Sequence, residues 1–178
     1  MQPSASATVG VAITVPDPWG EQLQEQRAAF GDPLAWTIPT HITLLPPTQV
    51  RLDRLAEVDE HLRAVAVDVP SFRVVLEGSA TFRPVSQTSF IVVHQGADEC
   101  EQVADRVRSG PLRRALTYPY HPHVTTAVDL SDPVHDRAEE KTAGFRLEFA
   151  VTAFERYELA EHGVWESVAE FPLLGARG

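Results

Sequence analysis

The chain is short of three things, and each shortage closes off a class of function. It has a single cysteine, Cys100, so it can form no intramolecular disulfide or multi-cysteine metal site, and it fits a reducing compartment. No apolar stretch approaches the ~18 residues of a membrane span, and Met1–Gly10 lacks the basic start and apolar run of a secretory signal. A cytoplasmic protein without a membrane partner is expected. Positive charge is scarce: 15 Lys plus Arg stand against 25 Asp plus Glu, a formal net charge of −10. Because phosphate neutralisation drives binding to duplex DNA and long RNA, that balance argues against both and leaves only a small or short nucleic-acid ligand open.

In other respects the 178-residue chain is ordinary in composition, 43% apolar and 22% charged. One domain over 1–178 is expected, monomeric, with disorder confined to its ends.

Punctuation and periodicity divide the chain into two similar halves. Gly10–Val15 reads as a buried strand closed by Pro16; Asp17 and Pro18 then cap and open a helix carrying Trp19, Leu23 and Phe30. Ile38–Leu45 reads as a second strand ended by Pro46 and Pro47. Leu55, Val58, Leu62, Val65 and Val69 recur at helical spacing up to Pro70, and Phe72, Val74 and Leu76 alternate as a third strand. The second half reuses the order. Ser89–Val93 is a strand, and Asp98 with Glu101 resembles a capping box for a helix whose inner face holds Cys100, Val103 and Val107. Tyr120–Val128 is the next strand, Asp132 and Pro133 open a helix, and Phe145 to Val151 alternate. A repeat of about 80 residues is longer than a solenoid's and points to an internal duplication. The expected fold is α+β and bilobal: repeats at about 9–80 and 88–155 form two pseudo-symmetric lobes of antiparallel sheet with outer helices around a central cleft. A hairpin at 156–174, turning at His162 and Gly163, closes the chain.

Each half carries the same tripeptide on its middle strand, His41-Ile42-Thr43 and His123-Val124-Thr125. Side chains alternate along a strand, so His41 and Thr43 share one face, as do His123 and Thr125. One H-x-T tripeptide is common by chance; two at matching places in a repeat are not. If the equivalent strands lie side by side across a groove, two imidazoles and two hydroxyls surround one ligand. Such a quartet suits phosphoester chemistry without a metal. One imidazole takes a proton from the attacking oxygen, the other as imidazolium protonates the leaving oxygen, and the hydroxyls donate to the phosphate.

These motifs, read as Thr40-His41-Ile42-Thr43-Leu44-Leu45-Pro46 and Pro122-His123-Val124-Thr125, resemble those of the two-histidine phosphoesterase superfamily, which includes the 2′-5′ RNA ligase-like proteins and the cyclic nucleotide phosphodiesterases. The resemblance extends over nearly the whole chain in length and motif order. It implies a metal-independent, cofactor-free hydrolase with catalytic His41 and His123 and phosphate-contacting Thr43 and Thr125. Its substrate would be a 2′,3′-cyclic phosphate or a related small phosphodiester, with a short RNA end as the nucleic-acid variant and a 2′-phosphate as product. By the same analogy His123 is the base and His41 the acid. RNA-processing members commonly carry an arginine soon after the second motif, whereas this chain continues Thr126-Ala127-Val128-Asp129, which favours small substrates over tRNA-sized ones. The alternative from another class is a non-catalytic module holding a nucleotide or phosphorylated ligand in the same groove.

The other residues that could carry chemistry also have plainer roles. His121 with His123 forms an H-x-H pair that would need a third ligand such as His94 or His41 to hold a metal, and His121 is more simply a groove-edge residue. Tyr118 and Tyr120 flank the motif and are candidate stacking platforms for a base. Trp19, Trp36 and Trp165 are expected in the core or cleft wall, Cys100 as a small buried hydrophobe, and Arg73 and Arg83 as solvated strand-face charges. His61, His135 and His162 are given no functional role.

Overall fold

The computed structural model describes residues 5–176. The expectation about the chain ends and the signal reading of the N-terminus therefore fall partly on residues 1–4 and 177–178, outside the described residues. The elements run β1 (Ser6–Thr14), α1 (Trp19–Ala29), β2 (His41–Arg51), α2 (Leu55–Asp68), β3 (Phe72–Thr81), β4 (Thr88–Gln95), α3 (Ala97–Val107), β5 (His123–Val128), α4 (Asp132–Thr142), β6 (Arg146–Val151), β7 (Ala153–Leu159) and β8 (Trp165–Pro172). They form two four-stranded antiparallel sheets, ordered β2-β1-β7-β8 and β5-β4-β3-β6.

The expected order of strand, helix, strand, helix, strand holds in each half, but sheet membership does not follow the halves. Strand β3, from the first half, pairs with β4 and β6 in the second sheet. The C-terminal β7 and β8 complete the first sheet, with β7 hydrogen-bonded to β1. The lobes are thus interleaved rather than drawn from 9–80 and 88–155, because hydrogen-bonding edges are matched across the whole chain and not within a repeat. The pseudo-symmetry survives at a different level: in each sheet the H-x-T strand lies at one edge and pairs with the first strand of its own half.

Helix α2 lies against β8, α3 against β2 and β4, and α4 against β3, β4 and β5. The stripes read from spacing are the buried faces: Val58, Leu62 and Val65 on α2, and Cys100, Val103 and Val107 on α3. One continuous buried cluster runs through both sheets, including Ile13, Ile42, Leu76, Ile91 and Val124. Among the described residues no helix is long and apolar enough to cross a membrane.

Several local expectations are corrected. Strand β2 runs through Pro46 and Pro47 to Arg51. It is an edge strand, and its ladder to β1 is irregular just there: Val9 pairs with Thr48 and Val11 with Leu45. Residues without an N–H are tolerated at such a bulge on an edge. Strand β5 begins at His123, not Tyr120, since Pro119 and Pro122 cannot donate to a ladder. The Asp98 capping box does not form; Gly96, at φ 89°, is the cap, with no side-chain bond. A Cβ there would come within 2.6 Å of the Arg73 carbonyl oxygen, so the turn itself places the helix start. Helix α4 starts at Asp132 with Ser131 as its cap. Asp17 sits one residue outside the α1 cap yet still accepts the Glu21 amide at 3.1 Å. Trp19 and Trp36 are exposed rather than core.

Candidate active site

His41 and His123 are each the first residue of their strand, and each ring is held in the same way. The Nδ1 of His41 lies 2.8 Å from the Pro39 carbonyl oxygen, and that of His123 lies 2.7 Å from the His121 carbonyl oxygen. A carbonyl only accepts, so in both rings Nδ1 carries the hydrogen and Nε2 is left as the free nitrogen of the neutral imidazole. The start of β2 is further pinned by Thr40, whose hydroxyl donates to the Gly20 carbonyl at 2.6 Å and whose carbonyl accepts the Val15 amide at 2.8 Å.

The edge strands β2 and β5 approach one another, and a cavity of about 930 Å³ opens over them, lined by His41, Thr43, His123 and Thr125 together. All four are half-buried. Among the described residues neither the Thr43 nor the Thr125 hydroxyl has a hydrogen-bond partner in the protein. Both are therefore available to a ligand, unlike the Thr40 hydroxyl.

The two imidazoles differ in what surrounds them. Burial pushes the His41 pKa down to about 4, against the pull of the Pro39 carbonyl, and the nearby positive charges of Arg27 and His123 push the same way. Burial also lowers the His123 pKa, offset by the His121 carbonyl and reinforced by charge on His121. The His123 ring sits between Phe82 and Phe90, with centroids 5.2 and 5.1 Å away. Both rings are thus neutral at pH 7, and His41 resists protonation strongly.

Of the other residues singled out, Tyr118 lies on the cavity rim, 60% exposed. Tyr120 lines the wall, but its hydroxyl is committed to the Thr43 carbonyl at 2.8 Å and Arg108 covers its ring. His121 lines the cavity, exposed and packed against Phe82 and Phe90. It precedes β5, so the H-x-H pair does not share a strand face; the two rings are 6.3 Å apart at 46°. Trp165 is in the cavity wall. Arg83 is not a solvated charge: its guanidinium binds Asp132, Asp136 and Glu139, whereas Arg73 is exposed and pairs with Glu148. Neither reaches the cavity. His135 is fully buried rather than in a polar surface context, held by Ser89, whose hydroxyl donates to Glu139.

Sequence reasoning missed Arg27. It is 6% exposed, lines the cavity, and donates through Nε and Nη2 to Asp32 Oδ2 at 2.9 and 2.5 Å. Asp32 in turn accepts the Leu34 amide. A signal existed: Arg27 occupies the position four after Leu23 in the inward stripe of α1, where an apolar residue is expected.

Comparison with known proteins shows the family and the fold. A protein of Oceanobacillus iheyensis named "putative phosphoesterase" is 27% identical over 169 residues, covering 92% of this chain and 96% of its own. A protein of Bacillus pumilus with the same name is 30% identical over 149 residues, covering 83% and 86%. Among solved structures, the E. coli LigT complex with 3′-AMP superposes with a TM-score of 0.67 over 95% of this chain and 99% of that one, at 18% identity. Residues 15–163 match the 2′-5′ RNA ligase superfamily, and these include both H-x-T strands and every cavity-lining residue named above except Trp165. The chain belongs to that superfamily of two-histidine phosphoesterase folds.

Proposed function

We propose that the chain is a phosphoesterase that hydrolyses a 2′,3′-cyclic phosphate or a related small phosphodiester without a metal. The observation that carries the reading is the convergence of His41, Thr43, His123 and Thr125 on one cavity, with both Nε2 atoms and both hydroxyls free of protein partners among the described residues. The names of its relatives point the same way.

In this reaction a water oxygen bonds to phosphorus while a neutral Nε2 takes its proton. The bond from phosphorus to a ribose oxygen breaks, and the second imidazole, protonated, gives that oxygen its hydrogen. The Thr43 and Thr125 hydroxyls donate to the two non-bridging oxygens as charge builds on them. Electrostatics favours His41 as the base, since burial and Arg27 keep it neutral. His123 then serves as the acid, its proton held by the phosphate charge. This is the reverse of the split implied by resemblance.

The test is turnover of a panel of nucleoside 2′,3′-cyclic phosphates with a chelator present. Activity that survives chelation and yields one phosphomonoester is expected. Absence of turnover across the panel, or loss with chelator and recovery with one metal, would refute the proposal.

A further inference from the structure

The cavity is far larger than a phosphate, and its charge inventory is unusual for a site that meets nucleotides. At about 930 Å³ it lies near the top of the roughly 300–1,000 Å³ span of small-molecule sites. Of its lining residues only Arg27 carries a permanent charge, and the buried Asp32 carboxylate already takes that charge through two hydrogen bonds. The two H-x-T motifs therefore supply partners for one phosphate group, and for a second the walls offer only neutral hydroxyls such as those of Thr117 and Tyr118 and the His121 imidazole, with no unpaired permanent positive charge.

Much of the lining outside the motifs is apolar. Leu34, Val85 and Tyr118 stand 54%, 68% and 60% exposed at the mouth, with Leu116 and Trp165 deeper in the wall. Large apolar side chains left in water around one opening mark a surface that a ligand covers. The overall charge of −10 adds a field that disfavours further anionic groups.

We infer that the site selects phosphodiesters bearing a single negative charge and one bulky uncharged apolar or aromatic substituent, and that it discriminates against substrates carrying a second phosphate. This rests on the phosphoesterase reading and sharpens it. The reacting phosphate sits between the two motifs, and the substituent, a nucleobase or an aryl or alkyl group, lies against Leu34, Val85 and Tyr118. A 5′-phosphate or the next phosphate of an RNA chain would be held in the cavity without an unpaired permanent positive charge, since Arg27 is already bound by Asp32.

The experiment compares kcat/KM for adenosine 2′,3′-cyclic phosphate, the same compound with a 5′-phosphate, a small cyclic phosphate without a base, and a phenyl-substituted cyclic phosphate. The 5′-phosphate and the missing base should each lower kcat/KM by at least about tenfold, the scale of leaving a charged group unpaired or a pocket unfilled. The phenyl compound should be turned over and separates an apolar preference from base recognition; its rejection would overturn the apolar-substituent half. Equal or better turnover of the 5′-phosphorylated compound would overturn the charge half. Leu34→Arg and Val85→Arg place a cation on the rim, and at least one should shrink the 5′-phosphate penalty about threefold or more. An unchanged penalty in both folded variants would remove these residues from the substrate path. Calorimetry with adenosine 2′-phosphate and its 5′-phosphorylated form reads the same selectivity without turnover, so failure of catalysis and failure of the selectivity are distinguishable.

Discussion

The two H-x-T strands place identical atoms in different fields. Both begin with histidine, both hold Nδ1 on the carbonyl two residues upstream, and both present a threonine hydroxyl to the same cavity. Yet His41 lies near the buried Arg27 and is pushed to about 4, while His123 is sandwiched by Phe82 and Phe90 and is shifted in the same direction by burial. Duplicated backbone geometry therefore presents two imidazoles held alike, and the neighbours contributed by α1, β4 and the β3–β4 loop make their surroundings unequal. Under the proposed mechanism, a symmetric motif is thus compatible with an asymmetric division of labour.

The sharpest way to break the comparison is to remove each ring. His41→Ala and His123→Ala should each lower kcat by at least ~100-fold on the best cyclic substrate, measured on protein whose circular dichroism matches the parent. Near-parent turnover in either variant would contradict paired acid and base catalysis. The two variants should then separate on a p-nitrophenyl phosphodiester, whose leaving group needs no proton: the His123→Ala deficit should shrink about tenfold or more and the His41→Ala deficit should not. The opposite pattern would restore His123 as base.

Removing one hydroxyl leaves both proton transfers in place. Thr43→Ala and Thr125→Ala should cost about tenfold in kcat, the scale of one hydrogen bond to a charged group, and steady-state kinetics would show whether the two losses are equal.

A smaller effect appears in pH. The productive free enzyme has one imidazole neutral and the other protonated; above both pKa values the acid is missing, and below both the base is lost. Since both values are lowered, the kcat/KM optimum should fall on the acid side of 6.5, with the rate declining from pH 6.5 to 8. NMR titration of the two Cε1 protons should show His41 titrating near 4 and moving up when inorganic phosphate binds. An optimum above pH 7 would contradict the depression of both rings. The smallest expected change is in Arg27→Gln: taking a positive charge from beside His41 should raise that histidine's titration midpoint and leave that of His123 nearly unmoved.

The parts of the site that were legible in the sequence are those that depend on a local period. Alternation along a strand puts His41 with Thr43 and His123 with Thr125 wherever those strands end up, and helical spacing selects the buried faces of α2 and α3 before any partner is known. Proline and glycine, in contrast, misled in proportion to how far their meaning is tertiary. Pro46 and Pro47 end a central strand but pass through an edge strand at a bulge opposite Gly10, and only pairing decides which kind of strand β2 is. The capping reading of Asp98 failed because Gly96 and its close approach to β3 set the helix start.

Strand partnership lay beyond sequence reasoning altogether. Nothing in residues 72–81 says that β3 joins the second sheet, or in 153–172 that β7 and β8 complete the first, since any unpaired edge offers the same backbone groups. The cavity shares that origin. Arg27 and Asp32 come from α1 and the loop after it, Val85 from the β3–β4 loop, Tyr118 from the approach to β5, and Trp165 from β8. The His and Thr pairs follow from a two-residue period that the chain carries with it, whereas the charge around each ring and the shape of the cavity arise from contacts between segments far apart in sequence, which exist only once both sheets have closed.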